Sequence, residues 1–98
     1  MGVSEIEKVV IDSLGGFLSS LGQKVPPMKS NTNPIKDLGL SSPDGIDWVC
    51  DMEELGFNVP KEINPFVIGN GPRTRTIREI AELLRDYQPE ASEAKKER

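Results

Sequence analysis

Histidine is absent from this sequence, and cysteine, tryptophan and tyrosine occur once each. Without histidine, no Ser-His or Cys-His nucleophile pair can be assembled from the chain. A single cysteine closes no internal disulfide and builds no Cys/His zinc site. A reducing, cytoplasmic compartment is the expectation that follows. Aromatics are scarce, with three phenylalanines besides Trp48 and Tyr87, so the core has to be aliphatic. No apolar run approaches membrane-spanning length, and the N-terminus lacks the basic segment and long apolar stretch of a signal peptide. Positive charge is in the minority: 12 Lys and Arg against 16 Asp and Glu leave a net charge of −4. That balance disfavours nucleic acid as a partner, because phosphates need Lys and Arg. It suits docking to basic patches on other proteins.

What is present is enough for one small domain. Ile6, Val9, Val10, Leu14, Phe17, Leu18 and Leu21 keep a helical stripe. Ser4 with Glu7 reads as a capping box at its start, and Gly22 as its end. Gly15-Gly16 weakens or bends that helix, and the close approach of another helix would account for the pair. Residues 23–36, with Pro26-Pro27, Asn33 and Pro34, read as a long loop pinned by Val25, Met28 and Ile35. A second helix is expected over Pro43 to Leu55, closed by Gly56. Pro60 to Ile63 reads as a short helical turn limited by Pro65, and Gly69-Asn70-Gly71-Pro72 as a turn. The last helix starts at Thr76 with Glu79 in a capping box, presents Ile77, Ile80, Ala81 and Leu84 inward, and stops before Pro89. The sum is an all-α bundle over 1–88, of three main helices and one short one. A charged, disordered tail is expected over 89–98.

The stretch Asp37-Leu38-Gly39-Leu40-Ser41-Ser42-Pro43-Asp44-Gly45-Ile46-Asp47-Trp48-Val49-Cys50 organises the rest. Ser42 reads as an N-cap and Pro43 as the first helical residue, where its missing N–H costs nothing. Ile46, Val49, Met52 and Leu55 recur at near-helical spacing, with Asp44, Asp47, Asp51, Glu53 and Glu54 between them. A hydroxyl therefore stands at the tip of an acidic amphipathic helix. As an N-cap alone, Ser42 would contribute about 1 kcal/mol.

Asp-Leu-Gly-x-x-Ser, an acidic helix and then Gly56-Phe57-Asn58-Val59-Pro60 resemble the acyl carrier protein family. The similarity is best over 33–60 and extends over roughly 4–87. The resemblance implies an acyl-carrier-like bundle whose Ser42 carries a covalent 4′-phosphopantetheine arm donated from coenzyme A. Ser41 is the alternative attachment point. A phosphodiester at a helix N-terminus would be favoured by free N–H groups and the helix dipole. The resemblance further implies a monomer that is not an enzyme. It would hold acyl groups as thioesters and deliver them to enzymes of fatty-acid, polyketide or other specialised acyl metabolism. Its partners would be a phosphopantetheinyl transferase and acyl-transferring or synthase enzymes with basic patches. These would read a docking face of Asp44, Asp47, Trp48, Asp51 and Glu54. Trp48 has two readings, packing beside the apolar seam or a partner contact, with packing favoured.

The chain departs from the family pattern at the serine, where Asp-Ser-Leu is usual and Ser41-Ser42-Pro43 stands here. It also departs in residues 60–75, which look expanded relative to the family's brief third helix. These departures favour an alternative: a carrier-like interaction module without the arm, binding a partner through its acidic helix or that segment. The remaining features have bland readings beside their functional ones. Cys50 reads as a small apolar filler. The acids of the second helix lack the alternating pattern of a calcium loop, and no metal site is expected. Arg73, Arg75 and Arg78 surround the start of the last helix; they read as solvated charges, with binding of a phosphate or an acidic partner as the sharper possibility. A helical nucleic-acid binder using those arginines is the remaining reading.

Overall fold

The structure, a computed structural model, describes residues 2–69 and 72–89. Four helices organise them: α1 (Val3–Ser20), α2 (Pro34–Leu38), α3 (Ser42–Glu54) and α4 (Ile77–Arg85). The all-α bundle of three main helices and one short one is what the periodicity predicts. The tail expected over 89–98 lies, apart from Pro89, outside the described residues.

Helix α1 buries Ile6, Val10, Leu14 and Leu18, a strict four-residue spacing that keeps one face inward. That face packs chiefly on α4, which buries Ile77, Ile80, Ala81 and Leu84 as expected, and more sparingly on α3. The start of α1 is corrected. Gly2 is the cap and Glu5 accepts its N–H at 3.0 Å, in place of the Ser4 and Glu7 pair. The extra half turn brings Val3 onto the core, while Glu7 accepts instead from the Ser30 hydroxyl at 3.0 Å. The helix runs unbroken through Gly15-Gly16, and no other helix comes into direct contact with a β-carbon at either position. A β-carbon on Gly15 would stand 3.3 Å from Val25 of the following loop, and one on Gly16 would meet nothing within 4 Å.

Gly22 and Gly56 end α1 and α3 in the same way. Both have positive φ, of 78° and 100°, which lets the next N–H (Gln23, Phe57) turn back to the carbonyls of Leu18 and Met52. Phe57 and Val59 then enter the core. The short helix is not where the sequence suggests. Pro60 to Ile63 makes only a turn, closed by the Ile63 N–H on the Pro60 carbonyl. The short helix is α2, cut from the end of the expected 23–36 loop. Asn33 caps it with Oδ1, accepting from Ile35 and Lys36 at 3.0 and 3.1 Å, and Pro34 occupies its first turn. Of the residues expected to pin that loop, Met28 and Ile35 do pack on the core, whereas Val25 is 48% exposed.

The 60–75 segment folds back on itself. Val67 and Thr74 form an isolated antiparallel bridge, with Ile68 N–H on the Arg73 carbonyl and Arg75 N–H on the Phe66 carbonyl, both at 2.9 Å. Phe66 is fully buried, its ring centroid 5.4 Å from that of Trp48. No helix among the described residues is long and apolar enough to cross a membrane.

Candidate functional site

The start of α3 differs by one residue from the sequence expectation, for a reason that lies in Asp44. Its carboxylate accepts the Ser41 N–H at 2.8 Å and the Ser41 hydroxyl at 3.0 Å. Ser41 is thereby fixed as the N-cap, Ser42 becomes the first helical residue and Pro43 the second. A carboxylate three residues into the helix also complements the positive end of the dipole. Ser42 is therefore released from capping. Its side chain is exposed and opens onto a surface depression of about 510 Å³ that Ile35, Asn64, Val67 and Thr74 help to line.

One side chain from the 60–75 segment holds Ser42. The Asn64 amide donates through Nδ2 to the Ser42 carbonyl at 2.8 Å and to Ser42 Oγ at 3.3 Å. Its Oδ1 accepts the Phe66 N–H at 3.0 Å, an Asx turn that starts the fold-back. Arg75 supports the same turn from beneath, donating to the carbonyls of Asn64, Pro65 and Val67. Burial pushes the Arg75 pKa below its usual value, against the opposing pull of Glu79. The side chain hydrogen-bonded to Ser42 Oγ is thus an amide donor, which presents the hydroxyl without activating it, and the Glu62 carboxylate lines the same depression.

The remaining site residues separate. Asp47 is exposed on α3. Trp48 is 0% exposed, stacks obliquely on Phe66 and donates from Nε1 to Ser13 Oγ at 3.0 Å. It is a core residue and is removed from the docking face. Asp51 and Glu54 face α1, where they line a groove together with Asp12. The seam of α3 is corrected with them: Gly45, Trp48, Val49 and Met52 turn inward, while Ile46 and Leu55 are 58% and 52% exposed. Cys50 is exposed and fills no core position. It borders a shallow groove with Ile46, Val49 and Ile63.

The three arginines do not converge on a ligand. Arg75 is spent on backbone carbonyls, and Arg78 pairs with Glu82 at 3.3 Å. The N-terminus of α4 that they surround is already satisfied. Thr76 N–H goes to Glu79, Ile77 N–H to the Thr32 carbonyl and Arg78 N–H to the Ser30 carbonyl. Glu79 N–H reaches Thr76 Oγ1. Among the described residues, no group of His, Cys, Asp or Glu is arranged to hold a metal ion.

Sequence reasoning passed over Asn64 and Asp12, and read Arg75 as a solvated charge or a binder of phosphate rather than as the support of the Asn64 turn. The Asn64-Pro65 dipeptide was a usable signal, because Asn before Pro favours turn initiation. Nothing local marks Asp12, whose place in the groove comes from α3 residues distant in the chain. No family model, curated protein or solved structure matches the chain.

Proposed function

We propose that this protein is a carrier whose Ser42 accepts a 4′-phosphopantetheine arm and presents it to partner enzymes. The supporting observation is the exposed Ser42 hydroxyl at the first residue of an acidic 13-residue helix, beside an open depression. The residues present suit such a group. The end of α3 offers a positive dipole to a phosphodiester. Ile35, Val67, Thr74 and Asn64 offer a mixed apolar and polar floor to methylenes and amides, while Glu62 on the same lining sets a carboxylate against the charge of a phosphodiester.

In the loading step, Ser42 Oγ would attack the phosphorus that bears the pantetheine. A new P–O bond to serine would form, the pyrophosphate P–O bond of coenzyme A would break, and 3′,5′-ADP would leave. The hydroxyl proton would pass to a base of the transferase, since Asn64 supplies only donors at Ser42 Oγ. The bound arm would supply a terminal thiol able to hold an acyl group as a thioester. In this reading the chain gives a tether and a rigid base, and partner enzymes of acyl metabolism give the catalysis.

A second reading is favoured by the same corner of the molecule. Asn64 already engages Ser42, and the preceding position carries Ser41 rather than an acid. A module that has lost the arm and binds partners through its surface would look like this.

Intact mass after incubation with coenzyme A and a broad-specificity phosphopantetheinyl transferase separates the two. The carrier reading expects the gain of one phosphopantetheine, retained in Ser41→Ala and lost in Ser42→Ala. Loss in Ser41→Ala alone would move the site by one residue. A folded protein that gains nothing would leave the armless module.

A further inference from the structure

The Asn64 amide, through which the 60–75 segment meets the head of α3, is fixed in orientation from several sides. Its Oδ1 accepts the Phe66 N–H at 3.0 Å, which leaves Nδ2 to face Ser42. A flipped amide would set two donors against each other at Phe66. Phe66 is fully buried against Trp48 and anchors the turn in the core. Room for the amide exists because α3 carries Gly45 there, where a β-carbon would crowd both Asn64 and the Phe66 ring. Nδ2 has two hydrogens, and the two bonds it makes are unequal. The Ser42 carbonyl accepts at 2.8 Å, whereas Ser42 Oγ accepts at 3.3 Å, longer than an ordinary N–H···O bond. A rigidly held donor is therefore only loosely used at the hydroxyl.

We infer that Asn64 is a phosphodiester-binding residue, an inference that rests on the carrier reading of Ser42. Once the arm is attached, Asn64 Nδ2 gives up Ser42 Oγ for a non-bridging phosphoryl oxygen and keeps its bond to the Ser42 carbonyl. An esterified oxygen is a poorer acceptor than a hydroxyl, while the phosphoryl oxygens next to it carry the negative charge. A hydrogen bond to such a charge is about twice as strong as a neutral one. The exchange replaces a long neutral bond by a charge-assisted one, and so offsets the Glu62 carboxylate on the same lining. It also leaves the Asn64 turn undisturbed, because neither Oδ1 nor the carbonyls held by Arg75 take part. The base of the arm is thereby pinned to the 60–75 segment. The contact that a serine without an arm makes with Asn64 is, on this account, a phosphate site in its unloaded state.

The test uses the full chain, labelled with ¹⁵N, before and after loading by coenzyme A and the transferase. The side-chain amide protons of Asn64 are expected to move downfield on loading, while those of Asn58 stay in place. The ³¹P signal of the loaded wild type should differ from that of loaded Asn64→Ala, and the difference should vanish in concentrated urea. Asn64→Asp keeps the acceptor for the Phe66 N–H, and with it the turn, but faces Ser42 with a carboxylate instead of a donor. It is expected to be loaded about tenfold or more slowly in kcat/KM, with an unchanged far-UV circular dichroism spectrum. Unmoved Asn64 amide protons in a loaded wild type would overturn the inference and leave the carrier reading standing. Identical ³¹P signals in wild type and Asn64→Ala, or loading of Asn64→Asp at the wild-type rate, would do the same. A folded wild type that gains no phosphopantetheine would remove the carrier reading, and the inference with it.

Discussion

A β-carbon added at Gly45 would stand 3.0 Å from both Asn64 Cγ and the Phe66 ring, and closer still to Asn64 Oδ1. That single missing methyl lets the 60–75 segment lie against the first turn of α3. It also lets Asn64 reach Ser42. Gly45→Ala therefore forces the Asn64 turn outward, although alanine is the better helix former by about 1 kcal/mol. The expected net result is a loss of about 1–3 kcal/mol, typical of overpacking. In a domain of this size each kcal/mol moves the melting temperature by roughly 4–8 °C. A melting temperature that rises, as propensity alone would dictate, would contradict the close approach. The neighbouring Asp44, expected on a docking face, is also engaged within the chain. Its carboxylate is occupied by Ser41 within its own chain, so it is a cap before it is a docking residue.

Among the elements, α2 has the least hydrophobic support and the most specific polar support. Five residues cannot sustain a helix by propagation alone. Asn33, 7% exposed, holds it in place. Its Oδ1 caps α2, and its Nδ2 donates to Thr74 Oγ1 at 2.7 Å, tying α2 to the fold-back of the 60–75 segment. Asp37 completes the arrangement by accepting the Asn33 N–H at 2.7 Å. The same stretch of chain satisfies α4 through the Thr32 and Ser30 carbonyls. Asn33→Ala removes the cap and leaves Thr74 without its donor, for an expected loss of about 2–3 kcal/mol in urea unfolding. Asn33→Asp keeps the cap and loses the donor, so its loss should fall between wild type and alanine. Equal stability of all three proteins would mean that α2 is held by packing alone.

At the scale of the whole molecule, one core joins all four helices and the non-helical 57–66 stretch. It runs from Ile6, Val10 and Leu14 of α1 through Ile80 and Leu84 of α4 to Trp48, Phe57 and Phe66. Trp48 sits where α1, α3 and the fold-back meet, bonded to Ser13 and against Phe66. A core shared in this way predicts cooperative unfolding. Urea midpoints from Trp48 fluorescence and from far-UV circular dichroism are expected to coincide. A fluorescence midpoint at lower urea would show that α3 and the fold-back detach before α1 and α4 separate.

Three long helices, their inward faces on α1 and α4, the Thr76 and Glu79 cap and the glycine ends at Gly22 and Gly56 were all legible in the sequence. Each is written within a few neighbouring residues, as a 3.6-residue period or as a cap or glycine end one turn long. The acidic face of α3 and the serine at its head were legible for the same reason. The tertiary structure decided the rest, because it depends on residues far apart in the chain. Asn64, 22 positions from Ser42, fills the space that Gly45 leaves and engages the serine. Ser13, 35 positions from Trp48, accepts the indole N–H and so decides between the two readings of Trp48 in favour of the core. Helix α1 brings Asp12 to the same groove as Asp51 and Glu54, two acids that the α3 pattern alone leaves without a neighbour. Local pattern sets what each segment can be, whereas burial, which selects the face that turns inward, is a property of the packed whole.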